Sequence, residues 1–528
     1  MTVLADRAAR HLPVGIQDYE KLREKGFVYV DKTRYIYELA RSETQFFLSR
    51  PRRFGKSLFL SMLRAYWEGK RELFTGLEIE RMEKESGRDW EKYPVFYFDF
   101  NRGGYHEKDS LEDILSTHLK EWEKIYGCED VKAALPVRFQ NLLVRAFIQS
   151  GRRCVVLVDE YDKPLLETME DPEKAEHNKA VFKAFFSALK SHDGYLQFVL
   201  ITGVTKFSKV SIFSDINQLE DISFDEEYAG ICGITEEELR ENFCPEIEKM
   251  AVSRGLDFES CCKRLRDTYD GYHFAANAKG VYNPYSLLTA LKKKKFGSFW
   301  FETGTPAFLV RRLRQLEFDV QQFADRSLEA SEAMLSDYRA DNPDPIPLLY
   351  QTGYLTITGE DQEGVYILGF PNTEVETGFL ESLIPEYVNG YGAGSGKDIL
   401  ALRKYLEKGN TEAVKNVFTA LFASIPYTSK DSPFEHYFQT VLFIVFTLLN
   451  QYVSCEIHTG TGRADCVVET KRYVYLFEFK RDASAEEALK QIKEKKYALP
   501  YAADPRKLYK IGVNFDSGTR LLEGWIVE

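Results

Sequence analysis

Short apolar runs alternate with helical stretches over the first two hundred residues. Phe46-Phe47-Leu48, Val95 to Phe98, Val155 to Val158 and Phe198 to Thr202 are brief and rich in Phe and Val. That pattern predicts a parallel sheet with helices on both faces. Residues 1–30 read as an arm leading into YVDKT (Tyr29 to Thr33), with a helical pattern from Tyr35 to Ala40. From about 231 to 335 the pattern is mostly helical, as in ITEEELRENF and NPYSLLTALKKKK. DNPDPIP (341–347) is a proline-rich break and a subdomain boundary. After it, LLYQTGYLTI and VYILGF flank GEDQEG and predict a hairpin, which with a helix would make a small winged-helix unit. Residues 376 to 425 are helical again, and the last hundred alternate helix and strand. Val441 to Leu449 is the most apolar stretch. It is far short of the ~20 residues a bilayer needs and predicts a buried helix.

The first strand runs into Ser49-Arg50-Pro51-Arg52-Arg53-Phe54-Gly55-Lys56-Ser57, and a helical pattern follows. Gly55, Lys56 and Ser57 match the end of the phosphate-loop pattern GxxxxGK[ST], while Arg50 stands where the first glycine belongs. Phosphate binding needs backbone N–H groups at a helix N-terminus, an ammonium for the β/γ charge and a hydroxyl for Mg²⁺. Lys56 and Ser57 supply the last two, and Arg50, Arg52 and Arg53 add a basic cluster whose expected partner is nucleotide phosphate. About a hundred residues on, Val155 to Val158 ends in Asp159-Glu160. In a phosphate-loop protein that pair places Asp159 on the Mg²⁺ shell and Glu160 on the attacking water. Phe198 to Ile201 ends in Thr202-Gly203, so Thr202 is the candidate to sense the γ-phosphate, with Lys206 or Lys209 as extra cations.

A second group lies near the C-terminus. GRAD (Gly462 to Asp465) is followed by YVYLFEFK (Tyr473 to Lys480), and a hairpin turning at Thr470 to Arg472 fits the gap. Glu478 and Lys480, two apart on a strand, share a face that Asp465 can reach across the hairpin. Two carboxylates and the Phe479 carbonyl are hard oxygen ligands suited to Mg²⁺ or Mn²⁺, and Lys480 could position or deprotonate a water. Glu435 opens the apolar helix SPFEHYFQTVLFIVF, either as a first-turn acid favoured by the helix dipole or facing the metal. Gln491 and Tyr497 lie in LKQIKEKKYA, a helix that would pack beside this group, although a solvated face would also account for Gln491.

YVDKT, SRPRRFGKS, LVDEYDKPL, ITGVTKFSKVSIFSDINQLEDIS, YDGYHF with VYNPYSLL, and FWFETGTPAFLV together resemble the AAA-ATPase-like family of bacterial phosphate-loop proteins, within the AAA+/signal-transducing ATPase class. The resemblance covers roughly residues 10 to 310. It implies ATP and Mg²⁺ as ligands and an AAA-type core followed by a helical lid, and it makes Arg50 the family's own variant of the loop. Glu435, Asp465, Glu478-x-Lys480 and Gln491, in that order, resemble the PD-(D/E)xK nuclease superfamily over about 376 to 528, with Ala464 replacing the proline of its name. The expected organisation is therefore an N-terminal arm (1–30), a P-loop AAA-type core (31–230), a helical lid (231–340), a winged-helix or hairpin unit (341–375) and a restriction-endonuclease-like α/β domain (376–528).

Composition narrows this reading. Of 528 residues, 44% are apolar and 29% charged, typical of a globular chain of three or four domains. The formal net charge of −12 argues against nucleic acid across the bulk surface. Yet from Lys471 to Lys510 eleven Lys/Arg face six Asp/Glu, a local excess that suits a phosphodiester backbone. Lys292 to Lys295 reads as a helix end. Eight cysteines without zinc spacing, and a start without an apolar signal core, suit reduced thiols in a cytoplasm. His273 and His436 stand alone, without metal-ligand spacing. Gly394-Ser395-Gly396 is no nucleophile elbow.

The function expected is an ATP-binding, ATP-hydrolysing protein coupled to a metal-dependent phosphodiesterase acting on nucleic acid, DNA first, without a membrane and compatible with a homo-oligomer. The alternatives are a nucleotide-dependent switch or scaffold whose C-terminal domain binds nucleic acid without cutting it, and a nucleotide sensor whose partner is a protein.

Overall fold

The computed structural model describes residues 11–528 except 43–44, 88, 106, 108, 129, 170, 207–218, 302–308, 311–312, 314–315, 317, 319, 324–327, 337–343, 388–395, 425–433, 451–453, 458–463, 517 and 520. Of residues 320–321, 386–387, 396–398, 434–439 and 454–457 it describes the backbone alone. The chain forms two compact units, residues 1–303 with 326–375, and residues 304–325 with 376–528.

The first unit is built on strands β1 (Gln45–Ser49), β2 (Val95–Asp99), β3 (Cys154–Asp159), β4 (Leu196–Gly203) and β5 (Leu219–Asp221). They form one parallel sheet in the order β2-β3-β4-β1-β5. β1 and β3 are buried along their whole length, as continuous apolar runs covered on both faces should be. β4 lies between them, with Leu48 opposite Thr202 and Ile201 opposite Val158. The C-terminal tips of the three strands therefore converge on Ser49, Asp159 and Thr202-Gly203.

Three helices follow the sheet, Glu236–Arg254, Phe258–Tyr269 and Pro284–Lys293. Each start is fixed by its own side chain. Thr235 and Glu238 form a reciprocal capping box, and Asp257 and Asn283 accept from the third residue of their helices. Their apolar faces meet in one core that includes Leu239, Phe243, Met250, Leu265 and Leu287. Lys292 and Lys293 fall in the last turn, where cations oppose the helix dipole.

The hairpin expected after the proline-rich break is β7 (Thr356–Glu360) with β8 (Tyr366–Gly369), joined by β6 (Leu328–Ala330) in the order β6-β8-β7. β6 and the helix Glu332–Ser336 come from upstream of the break, in the stretch expected to belong to the lid. A three-residue strand has no periodicity to read, and only its pairing with β8 defines it.

The second unit carries a mixed sheet of β9 (Ser454–Ile457), β10 (Cys466–Glu469), β11 (Tyr473–Arg481), β12 (Lys507–Phe515) and β13 (Leu522–Val527), in the order β13-β12-β11-β10-β9. Only β11 and β12 are parallel, and the helix Ala485–Glu494 makes their crossover. Gly512 on β12 admits that helix: a Cβ there would stand 2.2 Å from the Ala485 carbonyl oxygen. The helix Phe434–Asn450 buries Val441, Phe443 to Phe446, Leu448 and Leu449, as its apolar run implied. No helix among the described residues is long and apolar enough to cross a membrane.

Candidate functional site

The phosphate loop leaves β1 at Ser49 and ends at Gly55, which caps the helix Lys56–Trp67. Gly55 has φ 97, a conformation that suits glycine, and Arg53 turns the chain at φ 69. The Lys56 ammonium is buried and donates to the Arg50 and Pro51 carbonyls at 2.9 and 3.1 Å. It is thus held inside the curl of the loop, where phosphate oxygens would compete for it.

Arg50 corrects its expectation as a phosphate ligand. It is 1% exposed, and its guanidinium donates to the carbonyls of Ser49, Ser223 and Tyr228 at 2.9, 2.8 and 3.1 Å while stacking over Phe274. Burial lowers its pKa. Its work is to tie the root of the loop to the chain after β5. Arg52 and Arg53 do reach a cavity of about 500 Å³ in front of the loop, and Arg53 lies over the ring of Tyr285.

Lys56, Ser57 and Glu160 line that cavity. Asp159 lies behind it, 2% exposed, and accepts from the hydroxyls of Ser57, of Thr202 at 3.0 Å and of Tyr97 at 3.2 Å. Burial pushes its pKa up to about 6, while the Ser57 hydroxyl and the Lys56 charge pull the other way. A buried carboxylate touching a serine hydroxyl is an oxygen donor pair that fits Mg²⁺. Glu160 turns out of the strand at φ 52. Thr202 is fully buried, spends its hydroxyl on Asp159 and the Val158 carbonyl, and does not line the cavity. Lys206 is paired with Asp221 at 2.8 Å and lies over Phe224, which corrects its expectation as an extra cation at the phosphate. Lys209 lies outside the described residues.

Several contributors escaped the sequence reading. Gly15, Ile16 and Gln17, Asn101, Lys163 and Tyr285 of the helix Pro284–Lys293 also line the cavity. Lys163 and Tyr285 sit inside LVDEYDKPL and VYNPYSLL, so those motifs held the signal. Asp162, buried beside them, accepts from Thr205 N at 2.6 Å and Val204 N at 3.0 Å and so fixes the turn after β4. A narrower apolar slot of about 100 Å³ adjoins the first cavity, bounded by Val30, Phe54, Leu58, Met62 and Ile234.

The helix Ile346–Thr352 before the hairpin ends against the loop. Gly353, at φ 89, lies so close to Pro51 that a Cβ would stand 2.7 Å from its side chain. Gln351 accepts from Lys206 N at 2.8 Å and donates to the Leu335 carbonyl at 2.7 Å. Trp300 donates its indole N–H to the Arg52 carbonyl at 3.0 Å.

In the second unit, β10 and β11 pair with Cys466 opposite Phe477, which brings Asp465 beside Glu478. Asp465 Oδ2 accepts from Phe479 N at 2.8 Å, and Asp465 N donates to Glu478 Oε2 at 3.4 Å. Glu478 is fully buried, and its Oε1 accepts from Lys480 Nζ at 3.1 Å and from Gln491 Nε2. Gln491 also reaches the Tyr497 hydroxyl at 3.4 Å, so the helix face holding it is not simply solvated. Burial raises the pKa of both carboxyls, and Asp465 raises that of Glu478 further against the pull of Lys480. Two desolvated carboxylates side by side, with one ammonium between them and solvent, form a donor set that fits Mg²⁺ or Mn²⁺. Glu435 begins the helix Phe434–Asn450, but its side chain lies outside the described residues, as does that of His436. The local basic excess is partly spent: Arg506 pairs with Glu469 and Asp504, and Lys493 with Glu528.

These two sites define the class: a phosphate-loop protein of AAA type that carries a PD-(D/E)xK-type domain. The AAA-ATPase-like family model, described as a predicted AAA-ATPase, matches residues 13–213. The model of the PD-(D/E)XK nuclease superfamily matches residues 433–525. An "Uncharacterized protein in vnfD 5'region" of Azotobacter chroococcum mcd 1 is 36% identical over 530 residues, covering 98% of this chain and 99% of its own. The chain belongs to the family of that protein, and itself joins an AAA-ATPase-like region to a C-terminal PD-(D/E)XK nuclease-superfamily domain.

Proposed function

We propose that the chain binds and hydrolyses ATP with its first unit and cleaves phosphodiester bonds of DNA with its second. The observation that carries the reading is the cluster of Asp465, Glu478, Lys480 and Gln491 within hydrogen-bond reach, with none of its expected acid ligands replaced. In the first unit, Lys56 leaves the loop carbonyls for the β/γ-phosphates, and Arg52 and Arg53 meet the outer phosphate charge. The apolar slot takes the base. Ser57 and Asp159 would hold Mg²⁺, which neutralises charge on the phosphates. Thr202 and Tyr97 hold Asp159 in place, and Glu160 orients water towards the γ-phosphate.

In the second unit, Asp465, Glu478 and the Phe479 carbonyl would hold Mg²⁺ or Mn²⁺, which lowers the pKa of water and offsets charge on the scissile phosphate. Lys480 then turns from Glu478 to the attacking water, and Gln491 keeps Glu478 facing it. Glu435 is assigned as a further acid of this site. Gly353 against Pro51 and Gln351 on Lys206 N support a reading in which nucleotide occupancy is felt by the winged unit.

The test is one panel: single- and double-stranded DNA and RNA, with Mn²⁺, with and without ATP, for wild type, Lys56→Ala and Asp465→Ala. Cleavage lost in Asp465→Ala and altered in Lys56→Ala is the expected result. Metal-independent binding without cleavage would favour a nucleotide-dependent scaffold instead.

A further inference from the structure

At the end of the core sheet away from the phosphate loop lies a second cavity, of about 300 Å³. The loop helix starts at Lys56 at the end of the phosphate loop and ends at Trp67 in this cavity, so about 16 Å of helix separates the two. Tyr66, Trp67, Trp90 and Tyr93 wall it. Tyr66 and Trp90 meet at 5.3 Å and 67°, Tyr66 and Trp67 at 5.2 Å and 73°, and Trp67 and Tyr93 at 4.9 Å and 86°. Rings set nearly at right angles make a box rather than a stack, with π faces and edges turned on a shared space.

Three carboxylates complete the walls: Glu83, Asp89 and Glu91. Two are already matched. Glu83 takes Arg41 through both oxygens, at 3.2 and 3.0 Å, and the Tyr66 hydroxyl at 2.7 Å. Glu91 takes Arg152 at 2.9 Å and the Tyr93 hydroxyl at 2.6 Å. Asp89 is exposed and has no hydrogen bond or ion pair among the described residues. Among the described residues the box thus carries one carboxylate without a counter-charge beside four aromatic rings. Trp67 is 4% exposed, and its indole N–H finds no acceptor among the described residues. A packing cluster alone would not leave an open volume walled by four rings beside an exposed carboxylate.

We propose that this box binds an organic cation, an ammonium or guanidinium group, with Trp90 and Tyr66 facing it and Asp89 supplying its counter-charge. Aromatic faces attract such cations through the ring quadrupole, and a nearby carboxylate adds a Coulomb term that a single net charge can satisfy. The cation comes either as a free small molecule or as a basic side chain of another protein. Both present the same chemistry to the box.

The full-length protein is titrated by calorimetry with methylguanidinium, tetramethylammonium and the uncharged tert-butanol. Pentapeptides centred on arginine or lysine, and their alanine counterparts, are titrated in parallel. Saturable one-to-one binding of a cation is expected. It should weaken at least tenfold in Trp90→Ala and several-fold in Asp89→Asn, and persist in Trp90→Phe. Nucleotide binding, unchanged in all three variants, reports that the core is folded. A basic peptide that binds more tightly than its free cation assigns the site to a protein partner, and the reverse order assigns it to a small molecule. No saturable cation binding, equal binding of tert-butanol, or equal affinity in Trp90→Ala and Asp89→Asn would overturn the proposal.

Discussion

The two sites hold their charges in opposite ways. At the phosphate loop the cation is the buried, waiting group: Lys56 is pinned by two carbonyls of its own loop. At the C-terminal hairpin Glu478 is buried and Asp465 half-buried, and Glu478 is kept by Lys480, Gln491 and a backbone N–H. The first site is ready for an anionic ligand and the second for a cationic one. Each lies where strand ends or a hairpin can place polar groups without breaking the sheet behind them. On the proposed reading the contrast sorts the partners, phosphate to the first site and a divalent metal to the second.

The sharpest way to break the comparison is to remove one side at a time. Asp465→Ala should lower Mn²⁺-dependent cleavage by on the order of 10³-fold, since metal-assisted stabilisation is worth several kcal/mol, while ATP affinity stays unchanged. Parallel cleavage and nucleotide-titration assays check it, and a shared loss of both activities would mean that the sites are not separate. Glu160→Gln should leave nucleotide binding intact and slow ATP turnover by about 10²–10⁴-fold, the range for a lost general base. Steady-state phosphate release against nucleotide affinity measures that split.

Two glycines sharpen the comparison at the level of stability. Gly353→Val adds a side chain against Pro51 at φ 89, and strain plus overpacking should cost about 2–5 kcal/mol. It should weaken ATP binding and leave cleavage measured without ATP unchanged. Gly512→Ala forces the helix Ala485–Glu494 off β12 and should do the reverse. Urea unfolding alongside the two activity assays separates these outcomes.

The smallest effect concerns pH. Burial pushes the Asp270 carboxyl from 3.8 up to about 6, with Arg266 opposing, and its Oδ1 has no partner among the described residues. The folded chain therefore holds this proton more tightly than the unfolded chain does. As pH rises from about 4 to 6 the unfolded chain loses its proton first, and stability falls through that window. Asp270→Asn removes the penalty, so it should stabilise by about 1–3 kcal/mol more at pH 7 than at pH 4. Denaturant titrations at the two pH values check this, and a pH-independent difference would exclude Asp270 as the cause.

How far the sequence carried the reading depended on distance along the chain. Gly55-Lys56-Ser57 and Asp159-Glu160 were legible because strand, turn and functional group are contiguous. Asp465, Glu478 and Lys480 were legible because a short hairpin fixes their spacing. Arg50 and Lys206 were misread because basic residues near a phosphate loop look alike until Ser223, Tyr228 and Asp221 arrive from β5 and the chain after it. Thr202 was placed at the correct strand tip, but its hydroxyl turns to Asp159. The pairing of β6 with β8, and the residues Gly15 to Gln17 in the cavity before the phosphate loop, are long-range facts with no local pattern to announce them.

The central claim is that one chain carries a nucleotide site and a separate cutting site. Its most direct test is cleavage of supercoiled plasmid by the full-length protein with Mn²⁺, followed on a gel for wild type and Asp465→Ala, with ATP binding measured on the same two samples. Nicked or linear product from wild type alone, with equal ATP affinity in both, is the expected result. Equal cleavage by Asp465→Ala, or intact plasmid with wild type under every metal and nucleotide condition, would contradict the account.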